Sequence, residues 1–164
     1  MTYLNKTMDF PVPPAYSPPA SLAWAPPPTH LPHGARIVLR PATNPNFHLT
    51  TTHDRHVVVS HSPAVWCIQH TNGGEYVILR HEVSGRVLDV PGGSIACGTV
   101  LMTWEHNGGA NQLFAFERVE GKQGVCLLRA KGSGMVVDLR VAEGDAVQWV
   151  FNGGRNQEWI VQIV

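Results

Sequence analysis

The chain has 164 residues, with twelve basic and twelve acidic side chains and therefore no formal net charge at pH 7. That balance argues against nucleic acid or an anionic membrane as the main partner, because both are gripped by an excess of Lys and Arg. Only 15% of residues are charged, while there are 16 glycines and 13 prolines, which suits short strands and many turns rather than long helices.

Nine of the prolines (Pro11, Pro13, Pro14, Pro18, Pro19, Pro26, Pro27, Pro28 and Pro32) precede residue 34. Such a segment can form neither a helix nor a central strand, since proline lacks the N–H and restricts the residue before it. Residues 1–33 are therefore read as an extended, polyproline-type arm. Its aromatics (Tyr3, Phe10, Tyr16, Trp24) are unusual in a plain linker and make it a candidate surface for a protein partner or a homodimer. The opening residues lack the basic and apolar regions of a secretory signal, and no apolar run approaches a membrane span. The expectation is a cytoplasmic protein without membrane insertion, with unconventional release left open.

From residue 35 to 164 the chain repeats itself, with units over about 35–74, 75–123 and 124–164. Each opens on an apolar run closed by Arg: Arg36–Arg40, Tyr76–Arg80 and Val125–Arg129. A second strand follows in Asn46–Leu49, Val87–Val90 and Val136–Leu139, and a third in Thr99–Trp104 and Asp145–Val150. The unit ends match most closely: Asn107-Gly108-Gly109-Ala110-Asn111-Gln112-Leu113-Phe114 against Asn152-Gly153-Gly154-Arg155-Asn156-Gln157-Glu158-Trp159. The first unit keeps only the aromatic, in Pro63-Ala64-Val65-Trp66. Three four-strand units with no helical period predict a closed all-β structure that hides its sheet edges by threefold repetition. Trp66, Phe114 and Trp159 are expected in its core.

At these residues the sequence resembles the R-type (ricin-B-like) lectins, whose fold is the β-trefoil. The phrase Gly-Gly-x-Asn-Gln is most similar to the small intracellular lectins of mushrooms. The resemblance covers residues 35–164 and implies a non-catalytic protein that binds glycans or glycoproteins, galactose- or N-acetylgalactosamine-type above all. A sugar presents hydroxyls sideways and one face of C–H groups, so its site needs a carboxylate, an aromatic platform and amides. By resemblance those roles fall in the second repeat on Asp89, Trp104, Asn107 and Asn111, with Gly92 in the adjoining turn and Gln112 completing the set. In the third repeat they fall on Asp138, Trp149, Asn152, Asn156 and Gln157, as a second site.

Other readings of the same residues stay open. Asp89 could anchor its own Pro91-Gly92-Gly93 turn. Trp104 could be platform or core on spacing alone. Gln112 and Gln157 read more readily as buried amides serving turn backbone than as ligand contacts. In the first repeat His48 stands where Asp is expected and Ala64 where Gln is expected, so no working site is predicted there. The segment from Asp138 to Trp149 is shorter than that from Asp89 to Trp104, which leaves Trp149 in question as a platform. Met102 takes the place of a polar residue two before that aromatic.

The nine histidines, notably His53 and His56, do not converge on a strand, so no metal and no cofactor is expected. Cys67, Cys97 and Cys126 are an odd number without ligand spacing and are expected as free thiols. No nucleophile–base pair or phosphate loop can be read, which argues against an enzyme. The reading of another class is a β-trefoil scaffold for protein binding: a protease inhibitor, or an accessory subunit docking on an enzyme.

Overall fold

A computed structural model describes residues 31–164, so most of the expected Pro-rich arm (residues 1–30) lies outside the described residues. Leu31 is already buried in the core, and the amide of Gly34 donates to the carbonyl of Ile68 at 2.7 Å. Twelve strands follow. In the first repeat they are β1 (Arg36–Pro41), β2 (His48–Thr51), β3 (Val57–Ser60) and β4 (Trp66–His70). The second holds β5 (Val77–His81), β6 (Val87–Asp89), β7 (Met102–Trp104) and β8 (Phe114–Arg118). The third holds β9 (Val125–Ala130), β10 (Val136–Arg140), β11 (Asp145–Trp149) and β12 (Trp159–Ile163).

Six strands close a ring. β1 pairs with β12 and β4, β4 with β5, β5 with β8, β8 with β9, and β9 with β12, all antiparallel. A closed ring leaves no edge open to another chain. The remaining strands form three hairpins, β2–β3, β6–β7 and β10–β11, which cap the ring. The hairpins meet one another through Val58 opposite Asp145, His56 opposite Met102, and Val100 opposite Val147. This is a β-trefoil.

The core is built from the same layers three times over. Leu39, Leu79 and Leu128 hold one layer, Leu49, Leu88 and Val137 a second, and Trp66, Phe114 and Trp159 a third, every one of them buried. The Trp66 indole N–H donates to the carbonyl of Leu49 at 3.0 Å, and that of Trp159 to Val137 at 2.9 Å. Each ring thus fastens a cap hairpin to the barrel while filling its centre. Phe114 fills the same place without a donor.

The hairpin register supplies correspondences that spacing did not. Val58, Met102 and Val147 make equivalent contacts, so their partners Thr50, Asp89 and Asp138 are equivalent too. The first-repeat counterpart of the aspartates is therefore Thr50, not His48. The slip arises in the β1–β2 connection, residues 42–47, which is longer than residues 82–86 or 131–135. By the same register Ser60, Trp104 and Trp149 correspond, each facing the first residue of the preceding strand. The shorter third-repeat loop therefore does not displace Trp149 from the position equivalent to Trp104. It removes residues from the hairpin tip instead. β3 went unread because its turn, Thr52–His56, carries no glycine; Arg55 adopts the positive φ, at 70°.

Candidate functional site

Asp89 ends β6, and the chain then makes a single 3-10 turn over Pro91–Gly93. Gly92 and Gly93 both take positive φ there, a conformation costly for a residue with a Cβ. This turn and the β7 strand enclose a cavity of about 490 Å³ lined by Asp89, Pro91, Gly92, Gly93, Met102, Trp104, Asn107 and Asn111. Every second-repeat residue assigned by resemblance lies on it except Gln112, which is fully buried beneath.

Gln112 holds the site together. Its Nε2 donates to Asp89 Oδ2 at 2.7 Å and to the carbonyl of Glu105 at 2.9 Å, while its Oε1 accepts from the amide of Asn107 at 2.8 Å. Asn111 Nδ2 donates to the same Asp89 Oδ2 at 2.9 Å. Two amides thus converge on one carboxylate oxygen, and Asp89 Oδ1 keeps no partner among the described residues. Burial raises the Asp89 pKa, and the Gln112 hydrogen bond opposes that rise. An acceptor oxygen, poorly hydrated and held from below, is left beside an exposed indole.

The loop before Gln112 explains the doubled glycine. Gly108 has φ 76°, and a Cβ on Gly109 would collide with Asn111 Oδ1. Asn107 Oδ1 accepts from the amide of Gly109 at 2.8 Å, closing the turn. The third repeat reproduces the glutamine's part of this network. Gln157 Nε2 donates to Asp138 Oδ2 and to the carbonyl of Val150, both at 2.9 Å, and the amide of Asn152 donates to Gln157 Oε1 at 2.9 Å. One bond differs. Asn156 Nδ2 donates to Asp138 Oδ1 at 2.8 Å, so both of that carboxylate's oxygens are engaged.

Trp104 is 43% exposed, which places it at the cavity wall rather than in the core. The Arg55 guanidinium lies 4.6 Å from its ring centroid, reaching over from the first repeat. Trp149 is also part-exposed, but Gly98 of the long β6–β7 loop abuts its ring so closely that a Cβ there would lie 3.2 Å from it. Between Asp138 and Trp149 the chain turns directly from Arg140 to Asp145, with no counterpart of the Pro91–Gly93 wall. The first repeat presents Thr50, Ser60 and Ala64 at the corresponding places, with no carboxylate, aromatic or amide. Pro91, Gly93 and Met102 are lining residues that the resemblance did not assign. Arg55 was unforeseeable within one repeat, because it comes from the neighbouring one.

Among the described residues no three His, Cys, Asp or Glu side chains group as a metal site. Cys67, Cys97 and Cys126 are free thiols.

A barrel closed by six strands, capped by three hairpins and carrying a carboxylate–indole–amide pocket on one of them, defines a lectin-type β-trefoil domain. The family model for the ricin-type β-trefoil lectin domain-like proteins matches residues 63–147, and the chain belongs to that family. No curated protein matches the sequence. Among solved structures, the designed threefold-symmetric protein ThreeFoil superposes with a TM-score of 0.69 at 22% identity, over 77% of this chain and 96% of that one. A Polyporus squamosus lectin, bound to Neu5Acα2-6Galβ1-4GlcNAc, superposes with a TM-score of 0.70 at 19% identity. The match covers 80% of this chain and 50% of the lectin. The exo-β-1,3-galactanase 1,3Gal43A of Clostridium thermocellum gives 0.71 at 26% identity, over 82% of this chain but only 31% of the enzyme.

Proposed function

We propose that this domain is a non-catalytic carbohydrate-binding module whose working site is the second-repeat pocket. The observation that carries the reading is Asp89: a carboxylate with one oxygen held by two amides and the other free, beside the exposed face of Trp104. The free oxygen would accept from two neighbouring sugar hydroxyls, and the indole would lie under the C–H face. Asn107 and Asn111 would complete the polar contacts. The ligand favoured is a galactose- or N-acetylgalactosamine-type terminus of a glycan or glycoprotein, bound without metal. Membership of a lectin-like family supports this, as do neighbours that are a lectin with a galactose-containing glycan and a galactan-cleaving enzyme.

A shallow pocket with a few hydrogen bonds and one stacked ring gives roughly millimolar to tens-of-micromolar affinity, about 4–6 kcal/mol. Glycan-array screening followed by calorimetric titration with methyl galactoside tests the reading. Binding of galactosides that is lost in Asp89→Ala supports it; absence of any glycan binding at millimolar concentration rejects it and leaves a protein-binding scaffold.

A further inference from the structure

A second cavity, of about 660 Å³, lies between the β2–β3 turn of the first repeat and the β5–β6 turn of the second. It is lined by Arg55, His81 and Arg86 among others, and it adjoins the sugar pocket through Arg55, whose guanidinium stacks on the Trp104 ring that lines that pocket. Arg55 belongs to the lining of this second cavity and not to that of the Asp89 pocket. Arg86 donates through Nε to Glu105 Oε1 at 3.2 Å, which leaves its two terminal nitrogens unpaired. The amide of Ser84 donates to His81 Nδ1 at 3.3 Å, so the ring proton resides on Nε2 and that N–H is a free donor. Burial lowers the His81 pKa, against a smaller opposing pull from Glu82, and favours this neutral form.

The acidic groups facing this cleft are few and turned outward. Asp54 at its rim is largely exposed and lies 3.7 Å from His53, and Glu105 is spent on Arg86.

The threefold repetition supplies an internal control. At the junction between the second and third repeats, the register puts Thr99 in the place of Arg55, Ala130 in that of His81 and Met135 in that of Arg86. None of these three replacements is charged: Thr99 Oγ1 donates to the carbonyl of Ala96 at 2.9 Å, and Cys97 Sγ lies 4.0 Å from Met135 Sδ. At the junction of the third and first repeats Arg55 corresponds to Gly144, whose φ is 79°. Arg55 is the one non-glycine residue among those described with a positive φ. A guanidinium thus occupies a backbone conformation suited to glycine, where an L-residue is strained. Nothing in the barrel requires that choice, since Gly144 makes the equivalent turn.

The geometry points to a subsite for an anionic group: the Arg55–His81–Arg86 cleft holds a carboxylate or sulfate carried by the sugar seated at Asp89 or by the unit attached to it. The assignment rests on the carbohydrate-binding reading of the Asp89 pocket. A glycan leaving that pocket past the edge of Trp104 meets guanidinium groups able to form paired, charge-assisted hydrogen bonds with a planar or tetrahedral anion.

The test is calorimetric titration of the full chain with lactose, 3′-sulfolactose, and 3′- and 6′-sialyllactose, at about 0.02 M and about 0.3 M salt. At low salt at least one anionic glycan should bind about tenfold tighter than lactose, and the advantage should shrink at high salt. The sulfated and sialylated arms distinguish the source of the charge. Arg86→Gln and Arg55→Gly should each bring the anionic-to-neutral affinity ratio towards one. Arg55→Gly should fold, because glycine relieves the positive φ, and its melting temperature verifies this. Lactose binding with no anionic preference overturns the subsite and leaves the Asp89 pocket standing, as does a preference that both variants retain. Binding of an anionic glycan with none of lactose, lost in both variants, supports the cleft and overturns the galactose reading. No binding of any of the four overturns both.

Discussion

The second and third repeats share a scaffold and differ in what it presents. Gln112 and Gln157 are both fully buried and tie the same three groups: an aspartate, the backbone carbonyl after the part-exposed tryptophan, and an asparagine amide. Above that layer the two diverge. The second repeat inserts the Pro91–Gly93 turn and so gains a wall; the third turns tightly, with Arg140 donating to Asp145 at 2.5 Å across its ends. Asn111 leaves one oxygen of Asp89 open, whereas Asn156 takes the second oxygen of Asp138. Identical motifs therefore secure the position of a carboxylate but not its availability. Availability depends on the loop opposite, which the motif does not contain.

The largest expected difference between the repeats is in binding. Asp89→Ala should lower galactoside affinity more than hundredfold, the loss of two charge-assisted bonds, while Asp138→Ala should leave the monovalent affinity within about twofold. Equal losses from the two substitutions, measured by calorimetry, would show the third repeat to be an equal site. If agglutination falls in Asp138→Ala while monovalent binding holds, the third repeat adds avidity.

Stability should show the opposite pattern, with the repeats alike. Gln112→Leu and Gln157→Leu each remove a hydrogen bond from a buried aspartate and strand two backbone groups, so each should cost about 2–3 kcal/mol in urea unfolding. A large gap between the two would mean that the shared network is not equally loaded.

Trp104→Ala should weaken sugar binding by about 1–2 kcal/mol and move the melting temperature little, since the ring is part-exposed. A core role would instead destabilise the fold by about 3–5 kcal/mol. Trp149→Ala should change galactoside affinity hardly at all.

The smallest effect is the pH dependence. The Asp89 pKa is raised above its ordinary 3.8, chiefly by burial, so sugar binding should fade on acidification before an ordinary aspartate titrates. The stability sign is opposite. A carboxyl with a raised folded-state pKa favours the fold most when protonated, below the unfolded value, and that contribution is lost as pH climbs through the folded one. Asp138 is raised for the same reason, burial, so its repeat should share the stability trend without sharing the binding trend. Galactoside titrations at stepped acidic pH, beside thermal melts of the same samples, measure both.

Much of this architecture was legible in the sequence because the barrel is made of local patterns. Apolar runs closed by Arg, glycine turns and the doubled Asn-Gly-Gly-x-Asn-Gln state their strands and their threefold repetition directly, and the core aromatics follow. The second-repeat cavity gathers Asp89, Gly92, Trp104, Asn107 and Asn111, residues that a motif can nominate. Register was not legible in the first repeat: one longer connection and a turn without glycine hid β3 and put His48 where Thr50 belongs. Nor was the state of each carboxylate oxygen, or the reach of Arg55 onto Trp104 and of Gly98 onto Trp149. Those depend on neighbouring repeats meeting around the barrel, contacts between residues far apart in the chain that leave no spacing to read. The amino-acid sequence by itself determined three repeats, their core and a candidate carboxylate and platform in two of them. Only tertiary packing decided which carboxylate keeps an open face, because what covers or exposes it comes from other loops.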